Sequence, residues 1–204
     1  VQEDRRQLAK AEATAREALA VDSEYVPAHL LMGHLRFRLG MPQQGLRSYR
    51  TAHELAPTEP EPQVRLVEGM MDNGMVSEAE DQCLMFLSEN GTNTDLWLAL
   101  GKVFEEQEKL REAFTTYGQV MTLDPENDEA SARQGRLFCR FGQYEAAKAS
   151  CERALEINPD NLIAHAYLGI AASRLGDRNT ALRHAKIAEA GGLNMASVWE
   201  ELGK

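Results

Sequence analysis

Apolar and polar residues along this chain alternate with the period of a helix, and the helical segments themselves recur every 34 residues. Ala11, Ala15 and Ala18, spaced four and three apart, fall on one helical face. The stretch from Asp124 to Gly135 returns as Asn158 to Gly169, with Pro125 becoming Pro159, Asn127 Asn161 and Ala130 Ala164. Pro57 sits two periods before Pro125, and Gly33 and Gly101 keep the register of Gly135. A fixed period of this length predicts an all-α chain built by stacking one helix–turn–helix unit. On that register residues 1–25 are the second helix of a truncated repeat. Full units then occupy 26–59, 60–93, 94–127, 128–161 and 162–195, and 196–204 begin a truncated repeat or a capping helix.

Punctuation supports the same division. Gly40 and Pro42 separate the helices of 26–59, since glycine suits the left-handed position past a helix end and proline can start the next helix. Glu108 stands where the other units have glycine. The unit 60–93 departs furthest: Val67 replaces a small glycine, Phe86 an alanine and Gly91 a proline. Larger groups at close-contact positions predict helices pushed apart and a bend or hinge here. The charged residues 1–6 are expected to fray.

Composition narrows the class. Hydrophobic residues at 43% allow a continuous core, and aromatics at 6% suit helices packed through Ala, Leu and Gly. A net charge of −10 argues against a nucleic-acid partner and against adsorption to anionic lipid. No apolar run reaches membrane-spanning length, so no direct membrane insertion is expected. Cys83, Cys139 and Cys151 lack CxxC spacing and read as free thiols of a reducing compartment, giving a cytoplasmic expectation. The start at Val1, inside a repeat, reads as a fragment of a longer protein.

Trp97, Leu100 and Gly101 with Phe104, Ala113, Tyr117 and Pro125, and Ala147 with Ala154, Leu155 and Pro159, make up the pattern W-x-x-L-G, aromatic, A…A and closing Pro. This resembles the tetratricopeptide repeat (TPR) family, over almost the whole chain. The resemblance implies a right-handed superhelical solenoid whose function is protein–protein interaction on a concave groove. Units that bury their apolar faces only by stacking predict sticky ends at Val198 and Trp199, and hence homo-oligomers through exposed repeat ends.

Catalytic and metal-binding signatures are absent from the pattern: no HExxH, GxSxG or GxxxxGK[ST] occurs. No cofactor, metal or enzymatic activity is expected. His29 and His165 occupy the place of Trp97 and read as helix packing, while His53 and His184 have no ligand set at metal spacing. Residues one place after the core stripe of each first helix should face the groove. They are Leu30, His34, Phe37 and Arg38; Val64, Glu68, Met71 and Asp72; Leu98, Lys102, Glu105 and Glu106. Ala132, Arg136, Cys139 and Arg140 follow, then Ala166, Ile170, Ser173 and Arg174.

The charges on this stripe are segregated. Glu68, Asp72, Glu105 and Glu106 form an acidic middle, and Arg136, Arg140 and Arg174 should converge on carboxylates, which guanidinium matches with a fixed fork of donors. A chaperone clamp built from Lys and Asn does not fit, because His34, Glu68 and Ile170 stand where its residues would be needed. The expected function is a scaffold or adaptor holding a partner peptide or helix. The alternatives are a self-assembling scaffold of bacterial secretion, exopolysaccharide export or organelle assembly, and a regulatory arm of a larger enzyme.

Overall fold

The computed structural model describes residues 2–201 and 203, without strands among them. Two compact units divide the chain, Val1–Glu108 and Lys109–Lys204. Unit 1 holds α1 (Gln2–Val21), α2 (Val26–Arg38), α3 (Pro42–Leu55), α4 (Pro60–Asp72), α5 (Val76–Glu89) and α6 (Thr94–Glu106). Unit 2 holds α7 (Leu110–Leu123), α8 (Asp128–Arg140), α9 (Tyr144–Ile157), α10 (Leu162–Arg174), α11 (Arg178–Ala190) and α12 (Ala196–Glu201). Residues 2–6, where fraying is expected, are helical; Val1 and Leu202 lie outside the described residues.

Helix ends follow local chemistry. Gly40, Gly74, Gly142 and Gly176 take positive φ of 73–80° in the turns after α2, α4, α8 and α10. Glu108 takes the corresponding turn at φ 58°, a left-handed conformation that costs an L-residue about 1–2 kcal/mol. α2 and α4 carry proline in their first turn, at Pro27 and Pro60, and have no side-chain cap. α6, α8 and α10 begin instead with Asn93, Asn127 and Asn161, whose side chains accept from backbone N–H groups of the first turn.

The connections between hairpins are fastened by a recurrent donor. His29 Nε2 lies 2.9 Å from the Ser23 carbonyl, and Gln63 Nε2 donates to the Pro57 carbonyl at 2.8 Å. Trp97 Nε1 donates to the Gly91 carbonyl at 2.8 Å, and His165 Nε2 meets the Pro159 carbonyl at 2.9 Å. Each ring or amide reaches back six residues across the loop. Ser131, in the same register, is too short, and Arg153 from α9 donates to the Pro125 carbonyl at 2.9 Å instead. The packing role expected of His29 and His165 thus comes with a hydrogen bond that satisfies a loop carbonyl.

Unit 1 is filled by large side chains: Leu46, Tyr49, Leu66, Phe86, Leu96 and Leu100 are buried around Val67 and Cys83. Unit 2 closes on small ones, with Ala132, Cys151, Ala154, Ala172, Ala181 and Ala185 essentially inaccessible. Val67 and Phe86 are fully buried, and the α4 and α5 backbones approach at fewer points than those of α2 and α3. The expected separation of that pair is present. Val67 and Cys83 belong to one buried cluster, and His53 packs edge-on against Phe86 at 4.9 Å. Val198 corrects a second expectation: it is 1% exposed in the unit 2 core, and the half-buried Trp199 packs against that core with its Nε1 donating to Glu189 at 3.1 Å, so α12 turns both residues inward.

Candidate functional site

In unit 1 the expected stripe splits by register. His34 is exposed, Glu68 and Lys102 are half-buried, and one position short of a further turn Arg38, Asp72 and Glu106 are exposed. The register of Phe37 turns inward. Phe37 stacks on Tyr49 with centroids 5.5 Å apart and fills the space beside Gly45, Met71 packs against the core, and Glu105 is 7% exposed. Leu30 and Val64 are half-buried and Leu98 is buried. Phe37, Leu98 and Glu105 therefore leave the list of groove-facing residues. One residue is 100° of helical rotation, enough to carry a large side chain from the rim to the hairpin interface.

Between α2 and α4 lies an open cleft of about 350 Å³, lined by Pro27, Leu30, Leu31, His34, Glu61 and Arg65. Leu31 is 44% exposed on its wall. The acidic zone beside it is partly neutralised, since Glu68 accepts from Arg65 at 2.7 Å and lies 3.9 Å from Lys102. Burial, reinforced by the Glu68 charge, pushes the Asp72 carboxyl above the usual carboxylate range.

In unit 2, α8 and α10 pack side by side. Arg136 is half-buried with its guanidinium carbon 5.9 Å from the centroid of the Tyr167 ring, while Arg140 and Arg174 are exposed on the last turns of α8 and α10. Ala132 and Ala166 are buried and so do not line an open surface. Cys139 is half-buried, its thiol donating to the Tyr167 carbonyl at 3.6 Å. Burial raises its pKa to about 11 and that of Cys83 to about 12, which keeps both protonated. The three cysteines are free thiols.

A polar pair in the unit 2 interior carries no signal in the sequence. His165 Nδ1 and His184 Nδ1 lie 2.7 Å apart with the rings stacked. Arg183 reaches His184 Nε2 at 3.0 Å. A guanidinium can only donate and a carbonyl can only accept, so the neutral tautomers follow. Arg183 donates to His184 Nε2, His184 Nδ1–H donates to His165 Nδ1, and His165 Nε2–H donates to Pro159. Burial, and then the Arg183 and His165 neighbours, lower the His184 pKa to about 4.

Comparison with known proteins places this arrangement. A family model described as tetratricopeptide repeat matches residues 104–168. Tetratricopeptide repeat protein 7A of Homo sapiens is 31% identical over 140 residues, covering 69% of this chain and 16% of its own. The chain thus spans a small part of that relative's length. Among solved structures, the APC/C hetero-tetramer Cut9–Hcn1 superposes with a TM-score of 0.80 at 16% identity, over 98% of this chain and 40% of that one. The Pseudomonas aeruginosa pilF structure gives 0.74 at 18% identity, over 88% and 82%. These likenesses show the all-α helical-repeat fold expected from the sequence. No helix among the described residues is long and apolar enough to cross a membrane.

Proposed function

The chain belongs to the tetratricopeptide repeat family, a fold consistent with a protein-binding scaffold, and we propose that it acts by holding a segment of a partner protein on its first-helix faces. Binding rather than catalysis is the work of these faces. In unit 2, Arg136, Arg140 and Arg174 engage acidic side chains of the partner. In unit 1, Leu30 and His34 offer an apolar cleft beside Arg38, Glu68, Asp72, Lys102 and Glu106. The observation that carries this reading is the cleft between α2 and α4, where apolar wall and charged lip stand open together. A preformed surface of this kind spares the partner part of the ordering cost of binding.

The test is affinity capture from a lysate of the source organism with the wild-type chain and the triple variant Arg136→Glu, Arg140→Glu, Arg174→Glu, matched for helicity by circular dichroism. Loss of a captured protein from the variant alone, followed by direct titration of its binding segment, supports the reading. An identical captured set with both proteins overturns the role of the arginines.

A further inference from the structure

A second concavity lies on a different face of α2 from Leu30, His34 and Arg38. It has a volume of about 220 Å³, and α1, α2 and α3 build it with Leu19, Met32, Arg36, Arg47, Ser48 and Thr51 among its walls. Arg36 is held in place from two sides. Its Nε donates to Glu12 at 3.4 Å and its Nη1 to Ser48 Oγ at 2.7 Å. Ser48 in turn donates to the Gln44 carbonyl at 3.3 Å, so that its hydroxyl is oriented as an acceptor toward the guanidinium. A guanidinium has five N–H donors, and these two bonds leave three of them, including both on Nη2. Glu12 is the one carboxylate in ion-pair range of Arg36 among the described residues, and it is shared with Arg16 at 2.9 Å. Arg47, exposed on the pocket rim, makes no ion pair among the described residues. Positive charge thus exceeds negative in this pocket, on a chain whose net charge is −10.

We infer that this pocket binds a phosphate monoester through Arg36 and Arg47, with Leu19 and Met32 flanking the carbon that carries it. A tetrahedral dianion offers three strong acceptor oxygens, which two guanidinium groups approaching from different helices can share. A carboxylate, planar and singly charged, uses fewer of the donors. Preordering of Arg36 by Glu12 and Ser48 removes much of the side-chain entropy that an exposed arginine loses on binding an anion. The apolar wall favours a phosphate borne on a side chain, such as phosphoserine of a partner, over the free ion. This site is independent of the first-helix faces, and its occupancy does not depend on the partner proposed for them.

The experiment follows the arginine Nε–H resonances of the whole chain during titration with three probes: inorganic phosphate, a capped phosphoserine tripeptide and its unphosphorylated counterpart. Saturable shifts of Arg36 and Arg47 with the phosphorylated peptide, and none with the unphosphorylated one, support the site. Tighter binding of the peptide than of inorganic phosphate assigns the ligand to a partner's side chain, and equal binding assigns it to the free ion. Arg47→Gln, at an exposed position outside the buried network, should weaken phosphate binding about tenfold, the effect of one charge-assisted hydrogen bond. Arg111→Gln, at an exposed position with no assigned role, should leave it unchanged. Absence of saturable shifts at millimolar phosphate, or equal affinity in the Arg47→Gln chain, overturns the inference. Arg36→Lys, which keeps the charge but not the fork, gives a second reading if larger changes at that position unfold the hairpin.

Discussion

At the helix crossing of unit 1, a Cβ added to Gly33 would come 2.3 Å from the Tyr49 ring, and one on Gly69 would come 2.8 Å from the same ring. In unit 2 the facing groups are smaller: Gly169 meets main chain, and Gly135 meets a thiol with main chain close behind it. A Cβ on Gly169 would lie 3.2 Å from Ala185 N, and one on Gly135 would meet Cys151 Sγ at 2.4 Å with the Ala147 carbonyl 3.3 Å away. The facing pairs therefore run Gly33 with Tyr49, Val67 with Cys83, Gly135 with Cys151 and Gly169 with Ala185. Unit 1 spaces its helices with side-chain volume, which can be moved from one partner to the other. Unit 2 lets backbones approach until no volume is left to trade. The first arrangement tolerates drift, as Val67 shows; the second fixes residue type.

The largest expected effect tests that trade. Val67→Gly should destabilise unit 1 by about 3 kcal/mol, through a cavity and a helical glycine. Adding Cys83→Tyr, which recreates the Gly33–Tyr49 pairing, should restore a substantial part of it in denaturant titrations. No recovery would show that the pairs do not exchange volume. Next, Gly169→Val should cost unit 2 about 2 kcal/mol, since the α11 main chain must yield, and no second-site change at Ala185 removes the main-chain atoms it would meet. A neutral result in thermal melts would break the contrast between the units.

A smaller effect is pH-dependent and belongs to unit 2. The folded-state pKa of His184, near 4, lies below its unfolded value of 6.5. Neutral His184 thus contributes fully above pH 6.5, and its contribution is lost as pH falls from 6.5 toward 4. The loss should be on the order of 1 kcal/mol after allowance for solvent screening. Denaturation measured across that window should show the decline, and His184→Gln should flatten it. A wild-type profile as flat as the variant's would show that His184 does not resist protonation. The smallest effect is a gain: Glu108→Gly should stabilise the chain by about 0.5–1 kcal/mol, the strain relieved less the extra entropy of an unfolded glycine. A loss on substitution would mean that Glu108 contributes more through its side chain than its backbone conformation costs.

Much of the fold was legible because period and punctuation are backbone properties. Glu108 could be placed at a glycine position by register alone, and it adopts the glycine conformation. Side-chain direction was less legible. Counting puts Phe37 and Glu105 on the rim, but a residue 100° from the core face goes wherever its size finds room: Phe37 stacks on Tyr49 and Glu105 is buried. Arg140 and Arg174 are exposed on the last turns of α8 and α10, whereas the pairing of His165 with His184 depends on two helices meeting, which no local pattern announces. Val198 was read as exposed because a truncated repeat lacks its partner helix; one turn of α12 was enough to bury it against α10 and α11.

The loop fasteners at His29, Gln63, Trp97 and His165 have a consequence for how such chains diverge. What is held constant there is an N–H able to reach a carbonyl six residues back, and three chemically unrelated residue types meet that requirement. When serine cannot, a guanidinium from another helix assumes the task. A comparison scored on residue identity would record this position as variable. Scored by donor reach, it is among the most uniform in the chain, and neutral substitution can wander across its alphabet without a loop ever losing its tether.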